Sequence, residues 1–387
     1  MKNFLPGYLN LLFCRTLAGI AFSVAICGAS SADEATQAID VATARVEENV
    51  AWYDIHQLGV EGQGWSDTAA PFDRLPAKAE KTVRGSVWGL SRHSAGLCVR
   101  FVTDSPEIHA KWTLTSPNLA MNHMPATGVS GLDLYVKTES GKWRWLAVGR
   151  PTEQTNQARL VGSIPKGTRE YMLYLPLYNG VKEVEVGLPT TAVLQKAPPR
   201  KSGLKPIVFY GTSITQGGCA SRPGMVHTAI LGRWLDAPVI NLGFSGNGRM
   251  ELEVAELIAE LDPSVIVLDC LPNISAGDVT ARTGPVMEIL RKRHPETPIL
   301  LVEDRSYTDS FLIESKRIRN ETSRDALKVE FAKLKKAGDE NVFYLKGEDL
   351  LGDDGEGTVD SSHPTDLGFV RQSEAFQKAL VPLLKKR

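Results

Sequence analysis

A chain of 387 residues with 42% hydrophobic and 23% charged residues can bury a large core, and its length suits two domains better than one. Its 44 Lys and Arg balance 45 Asp and Glu to a net charge of -1, without the basic excess of a nucleic-acid binder. The one basic cluster, Lys333, Lys335 and Lys336, reads as a solvated helix face.

Residues 1–32 have the layout of an export signal. Lys2 and Arg15 precede the short apolar run Leu17 to Cys27, and Ser30-Ser31-Ala32 offers small residues for cleavage. The run is too short to span a bilayer comfortably, and no integral membrane segment is expected in the mature chain. A secreted or periplasmic location follows. Outside this signal lie Cys98, Cys219 and Cys270, an odd count that allows one bridge and one free thiol in an oxidising compartment.

Residues 48–195 read as an all-β, jelly-roll-like sandwich. Ile108, Ala110, Trp112 and Leu114 alternate with polar partners, as do Leu132, Leu134 and Val136, then Trp143, Trp145 and Ala147. The turn Glu139-Ser140-Gly141-Lys142 predicts a hairpin between the last two runs. Two further alternating runs follow, at Tyr171 to Leu177 and Val184 to Leu188. The alternation sends Trp112, Trp143 and Trp145 into the core and leaves Trp65 as the better candidate for an exposed aromatic platform. Pro198-Pro199-Arg200-Lys201-Ser202-Gly203 then marks a surface linker over 196–205.

From residue 206 to 387 the pattern changes. Ile207–Tyr210, Val239–Leu242, Val265–Leu268, Ile299–Val302 and Val342–Leu345 are short, nearly continuous apolar runs, as strands buried on both faces of a parallel sheet require. Helical stripes lie between them, among them Val254, Leu257, Ile258 and Leu261. The reading is a three-layer, flavodoxin-like α/β domain, whose ligands bind beyond the carboxyl ends of the strands. In the strand order 2-1-3-4-5 the exits that carry Cys219 and Cys270 are neighbours. A bridge between them and two buried thiols are both open.

Those carboxyl ends carry the chemistry. The first strand exits through Gly211-Thr212-Ser213, a tight turn that presents a hydroxyl. The second exits through Gly243-Phe244-Ser245-Gly246-Asn247-Gly248, where backbone N–H groups can point into the crevice. The third exits through Leu271-Pro272-Asn273, with an amide able to donate to a developing oxyanion. After the last strand comes Asp360-Ser361-Ser362-His363-Pro364, an imidazole with a carboxylate three residues earlier; Asp366 is a rival carboxylate. Each segment alone is an ordinary turn or cap. Arg222 and Glu303 lie on the same edge and are candidate substrate contacts. None of the seven histidines has zinc-type spacing, so neither a metal nor a cofactor is expected.

Together these blocks resemble the SGNH, or GDSL-like, hydrolase family over residues 207 to the C-terminus. The resemblance implies Ser213 as nucleophile, Asp360 and His363 as its partners, and Ser213, Gly246 and Asn273 as oxyanion donors. Gly-Thr-Ser-Ile stands where that family has Gly-Asp-Ser-Leu, and Leu-Pro-Asn where it has Gly-x-Asn-Asp; no catalytic group is lost. The β-rich part is similar to the module that precedes such domains in bacterial enzymes, many of them linked to carbohydrate esters. The expectation is a serine esterase that acts on short acyl, above all acetyl, esters of carbohydrates. The alternatives are a lipid esterase or thioesterase, and a carbohydrate-binding protein with a decayed catalytic domain.

Overall fold

The computed structural model describes residues 37–348 and 350–384. The expected export signal lies outside them. Among the described residues no helix is long and apolar enough to cross a membrane.

The strands of the first half are β1 (Arg45–Glu47), β2 (Val50–Asp54), β3 (Val60–Glu61), β4 (Cys98–Thr103), β5 (Ile108–Leu114), β6 (Leu132–Lys137), β7 (Trp143–Gly149), β8 (Thr155–Val161), β9 (Arg169–Tyr174), β10 (Val181–Pro189) and β11 (Leu194–Lys196). Short helices α1 (Gly85–Ser91) and α2 (Ala126–Val129) interrupt them. The strands form two antiparallel sheets, ordered β1-β2-β10-β5-β8 and β11-β4-β9-β6-β7, with β3 added on β4. In β5 the alternation works as expected: Ile108, Ala110, Trp112 and Leu114 are buried and the residues between them are not.

The second sheet is buried on both faces. Tyr171 and Leu173 of β9 point into the sandwich core, whereas Met172 and Tyr174 pack with Tyr135 against Ile230 and Phe369 of the second half. Its edge strand β7 departs from the expectation: Trp145 is 49% exposed rather than in the core. Only one strand flanks β7, so the end of that face is left uncovered.

The second half comprises β12 (Ile207–Gly211), α3 (Ser213–Gln216), α4 (His227–Trp234), β13 (Val239–Gly243), α5 (Leu252–Ile258), β14 (Val265–Asp269), α6 (Ala276–Arg293), β15 (Ile299–Val302), α7 (Glu314–Lys336), β16 (Val342–Leu345) and α8 (Asp366–Leu384). Its sheet is parallel, in the order β13-β12-β14-β15-β16. Successive residues of each strand serve opposite layers, which explains the unbroken apolar runs. Phe209, Val267 and Leu300 meet α8 through Phe376 and Leu380. Val208, Ile266 and Leu301 meet α5, α6 and α7 through Val254, Leu290 and Leu327.

The halves share buried contacts. Leu75, Ala79, Val83 and Val87, which precede β4, pack in the core beside Ile240 and Leu242 of the edge strand β13. Such a cover protects an otherwise open sheet edge. Arg74 is wholly buried and donates to the carbonyl oxygens of Asn241 and Gly243 at 2.9 and 2.8 Å, and to that of His93 at 2.8 Å. The segment between β11 and β12 runs over the surface, but Arg200 within it is anchored to Glu61 at 2.6 Å.

Candidate active site

The site grows from the carboxyl ends of β12, β13 and β14. After Gly211 the chain turns at Thr212, whose side-chain oxygen accepts the Ile214 N–H and caps α3. Ser213 is the first residue of that helix, so its N–H has no intrahelical acceptor. The turn fits tightly under its neighbour: a Cβ on Gly243 would collide with the Gln216 backbone. Beneath it, the Thr215 hydroxyl donates to the buried carboxylate of Asp269 at 3.1 Å, and Arg305 pairs with the same carboxylate. The Ser213 turn therefore rests on a buried, neutralised ion pair.

His363 arrives on the loop before α8. Its Nε2 lies 2.8 Å from the Ser213 hydroxyl oxygen, and its Nδ1 lies 2.7 Å from Asp360 Oδ2. Asp360 also accepts the backbone N–H groups of Ser362 and His363 at 3.1 and 2.7 Å. Burial works against the charge on Asp360, but these donors outweigh it and hold the carboxyl below the usual carboxylate range. The loop closes through Ser361 in the left-handed region (φ 70°), a costly conformation for a residue with a side chain. Lys316 of α7 donates to the Ser361 hydroxyl at 2.7 Å, and the Thr308 N–H donates to its carbonyl at 3.1 Å, which brace that turn. Asp366, the rival carboxylate, is occupied by the Ser221 N–H at 3.0 Å and by the Ser221 hydroxyl.

Two further exits leave the same edge of the sheet, from the strands on either side of β12. Gly246 adopts φ 67°, which a glycine tolerates freely. Its loop is fixed by Gln216, whose Oε1 accepts the Ser245 N–H at 3.0 Å while its Nε2 donates to the Leu177 carbonyl at 3.1 Å. Asn273 ends a short turn clamped by Arg319 of α7, which donates to the carbonyl groups of Leu271, Pro272 and Ile274. The Asn273 side-chain nitrogen is buried without an acceptor. A buried, unpaired donor is costly in a resting protein. It is well suited to a charge that arises only during a reaction.

The structure thus gathers Ser213, Gly246, Asn273, Asp360 and His363 at one edge of the sheet, and it moves two candidates away. Glu303 is 1% exposed; its carboxylate accepts the Tyr344 hydroxyl at 2.6 Å and the Gly347 N–H at 2.9 Å, so it cannot meet a substrate. It is consumed in tying β15 to β16. Arg222 donates to Asp133 of the β-rich half at 2.8 Å and lies over the Trp145 ring at 5.2 Å. Cys219 and Cys270 are free thiols, as is Cys98. Cys270 turns under the sheet toward the Tyr210 carbonyl and packs among the residues of the α5–α6 layer, away from the loop that carries Cys219. Adjacent strand exits do not bring the two side chains to the same layer.

Two contacts with the site escaped the sequence. The Tyr178 hydroxyl donates to the Ser213 carbonyl at 3.2 Å, and the His123 ring lies 6.0 Å from that of His363. Both come from the β-rich half. Neither sits in a motif, so only the packing of the two halves reveals them.

Comparisons with known proteins show the family and the fold. Residues 204–381 match the GDSL-like lipase/acylhydrolase family model, and residues 50–194 match a model for the N-terminus of SGNH-hydrolase-type esterases. The pattern GxDLY that labels the second is spelled here by Gly131-Leu132-Asp133-Leu134-Tyr135. A crystal structure from Bacteroides ovatus ATCC 8483 that carries the name GDSL-like lipase is 36% identical (TM-score 0.82), covering 87% of this chain and 98% of its own. The salicylyl-acyltransferase SsfX3 of a tetracycline biosynthetic pathway shares the fold at 21% identity and TM-score 0.67, covering 90% of this chain and 98% of its own. A family two carbohydrate esterase from Clostridium thermocellum, solved with cellohexaose, shares it at 15% identity and TM-score 0.52 over 75% of this chain and 93% of its own. No curated protein is matched.

Proposed function

Because the chain belongs to the SGNH, or GDSL-like, hydrolase family, we propose that it is an exported serine esterase that removes short acyl groups, acetyl above all, from carbohydrates. The observation that carries this reading is the unbroken hydrogen-bonded chain from Asp360 through His363 to Ser213. Ser213 attacks the ester carbonyl as His363 Nε2 takes its proton, and Asp360 stabilises the imidazolium that forms. The Ser213 and Gly246 N–H groups and the Asn273 amide hold the tetrahedral oxyanion. The intermediate collapses, His363 returns the proton to the departing alcohol, and an acyl-serine remains. Water, activated by the same imidazole, repeats the sequence and releases the acid.

The preference for small acyl groups rests on the loops around Ser213. Thr215 to Arg222 and Gly246 to Arg249 are small or polar and offer no long apolar groove. Each CH₂ of a longer chain would forgo about 0.8 kcal/mol of burial. Export rests on the layout of residues 1–32.

The test is hydrolysis of p-nitrophenyl esters of increasing chain length, together with acetate release from acetylated glycans. A maximum at acetate or propionate, and a loss on the order of 10⁴-fold in folded Ser213→Ala, are expected. Near-normal turnover by that variant would end the serine-esterase reading. A rise with chain length would favour a lipid esterase.

A further inference from the structure

The uncovered end of the second β-sheet faces α4 across an open groove of about 620 Å³. Its walls include Trp143 and Arg144 of β7, with Arg222, Arg233 and Trp234 opposite, and Tyr135 between them. Two properties set it apart. Of the seven tryptophans only Trp145 and Trp234 are exposed, at 49% and 42%, and both stand here: Trp234 lines the groove and Trp145 lies under the Arg222 guanidinium. The groove is also cationic, with Lys142, Arg144, Arg222 and Arg233 among its lining residues and no acidic side chain.

The carboxylate that meets Arg222 is already engaged. Asp133 is wholly buried and accepts from Arg222, from the Gly224 N–H and from the Trp145 indole N–H at 2.8, 2.8 and 2.9 Å. Lys142 and Arg144 have no ion-pair partner among the described residues. A chain of net charge -1 has thus concentrated unpaired positive charge and exposed indole in one groove. Exposed indole faces suit the apolar C–H faces of sugar rings, whereas guanidinium groups suit carboxylates, which they grip with two hydrogen bonds.

We propose that this groove binds an acidic oligosaccharide, its rings stacked on Trp145 and Trp234 and its uronate carboxylates met by Arg144 and Lys142. The proposal rests on the carbohydrate-ester reading and narrows it, naming a uronate-containing polymer as the acylated substrate. The groove is tied to the catalytic centre through its own lining. Arg222 follows Ser221, which bonds Asp366 at the head of α8, three residues after His363. Val370 and Gln377 of α8 continue the groove.

The experiment is calorimetric titration of the full chain carrying Ser213→Ala, which removes turnover. The probes are oligogalacturonate, a neutral cello-oligosaccharide of equal length, and polyglutamate. Oligogalacturonate should bind, and added salt should weaken it. Trp145→Ala with Trp234→Ala should weaken binding by about tenfold or more. Lys142→Gln with Arg144→Gln should weaken the uronate alone. Trp145→Phe, which keeps a ring over Arg222, separates lost stacking from lost folding. Equal affinity for the neutral oligosaccharide overturns the acidic assignment. Equal affinity for polyglutamate reduces the groove to a charge patch and overturns the carbohydrate. No binding, or unchanged binding by the tryptophan variants, overturns the site. Failure of the esterase reading would show as absent ester hydrolysis by the unmodified chain, a separate measurement.

Discussion

The imidazole rings of His123 and His363 lie 6.0 Å apart at an angle of 58°, one from the β-rich half and one from the α/β half. In the proposed mechanism His363 hands its proton to the departing alcohol, so a group resting against its ring would flank that alcohol. His123 Nδ1 lies 2.9 Å from Asn122 Oδ1. In the neutral tautomer that donates from Nδ1, Nε2 offers a lone pair to a hydroxyl donor. His123→Ala should lower kcat/KM on an acetylated sugar by roughly two- to tenfold, mostly through KM, as loss of one hydrogen bond does. Steady-state kinetics on that substrate check this, and an unchanged kcat/KM would remove His123 from the alcohol's surroundings.

Asp360 and Asp366 should separate cleanly. Asp360 holds the imidazole at 2.7 Å, whereas Asp366 is spent on Ser221. Asp360→Asn should lower kcat on the order of 10⁴-fold by favouring the wrong tautomer. Asp366→Asn should cost far less. The reverse order in kcat would transfer the orienting role to Asp366.

Acid should destabilise the fold through two buried histidines. His227 is stacked between Phe369 and Phe376, with neither ring nitrogen bonded, and burial and then Arg305 push its pKa well down. Burial and then Arg74 bring His93 down to about 4. Both bind a proton in the unfolded chain before the folded one, so stability present above about pH 6.5 is lost as pH falls below it. For His93 the loss ends near pH 4. Asp304, which burial raises to about 6 against the pull of Arg319, opposes this in part. Comparison with His227→Phe isolates one contribution. Chemical denaturation at pH 5 should find that variant more stable, relative to the parent, by about 1 kcal/mol or more. Equal acid sensitivity in the two proteins would contradict the assignment.

All three thiols should be free but slow to react. Burial pushes Cys98 and Cys219 up to about 12 and raises Cys270 as well. Thiol labelling should be slow in the native protein and reach Cys98, Cys219 and Cys270 on denaturation without reductant. A single labelled cysteine among them would indicate the bridge that the fold does not make.

The joint at Asp133 should matter for stability. Burial raises its carboxyl, and Arg222 is the main opposing charge. Arg222→Ala would leave that carboxylate buried and uncompensated, at a cost of about 3–5 kcal/mol. Chemical denaturation measures this directly; a shift below about 1 kcal/mol would mean that Gly224 and Trp145 suffice to hold Asp133.

The sequence by itself determined everything governed by local periodicity and turn chemistry. Period-two alternation marked the sandwich strands and continuous apolar runs marked the parallel sheet, whereas Ser213, Gly246, Asn273 and His363 were joined into one candidate constellation only through the family resemblance of their segments. The strand readings hold because strand faces depend on neighbours a few residues away. Tertiary structure decided what depends on residues that meet across the fold. It buried Glu303 against Tyr344, turned Cys270 away from Cys219, left Trp145 exposed on an edge strand, and set His123 and Tyr178 against the catalytic turn. The physical reason is that a side chain's partner across an interface is chosen by how two surfaces pack, and no spacing along one strand or loop encodes that choice.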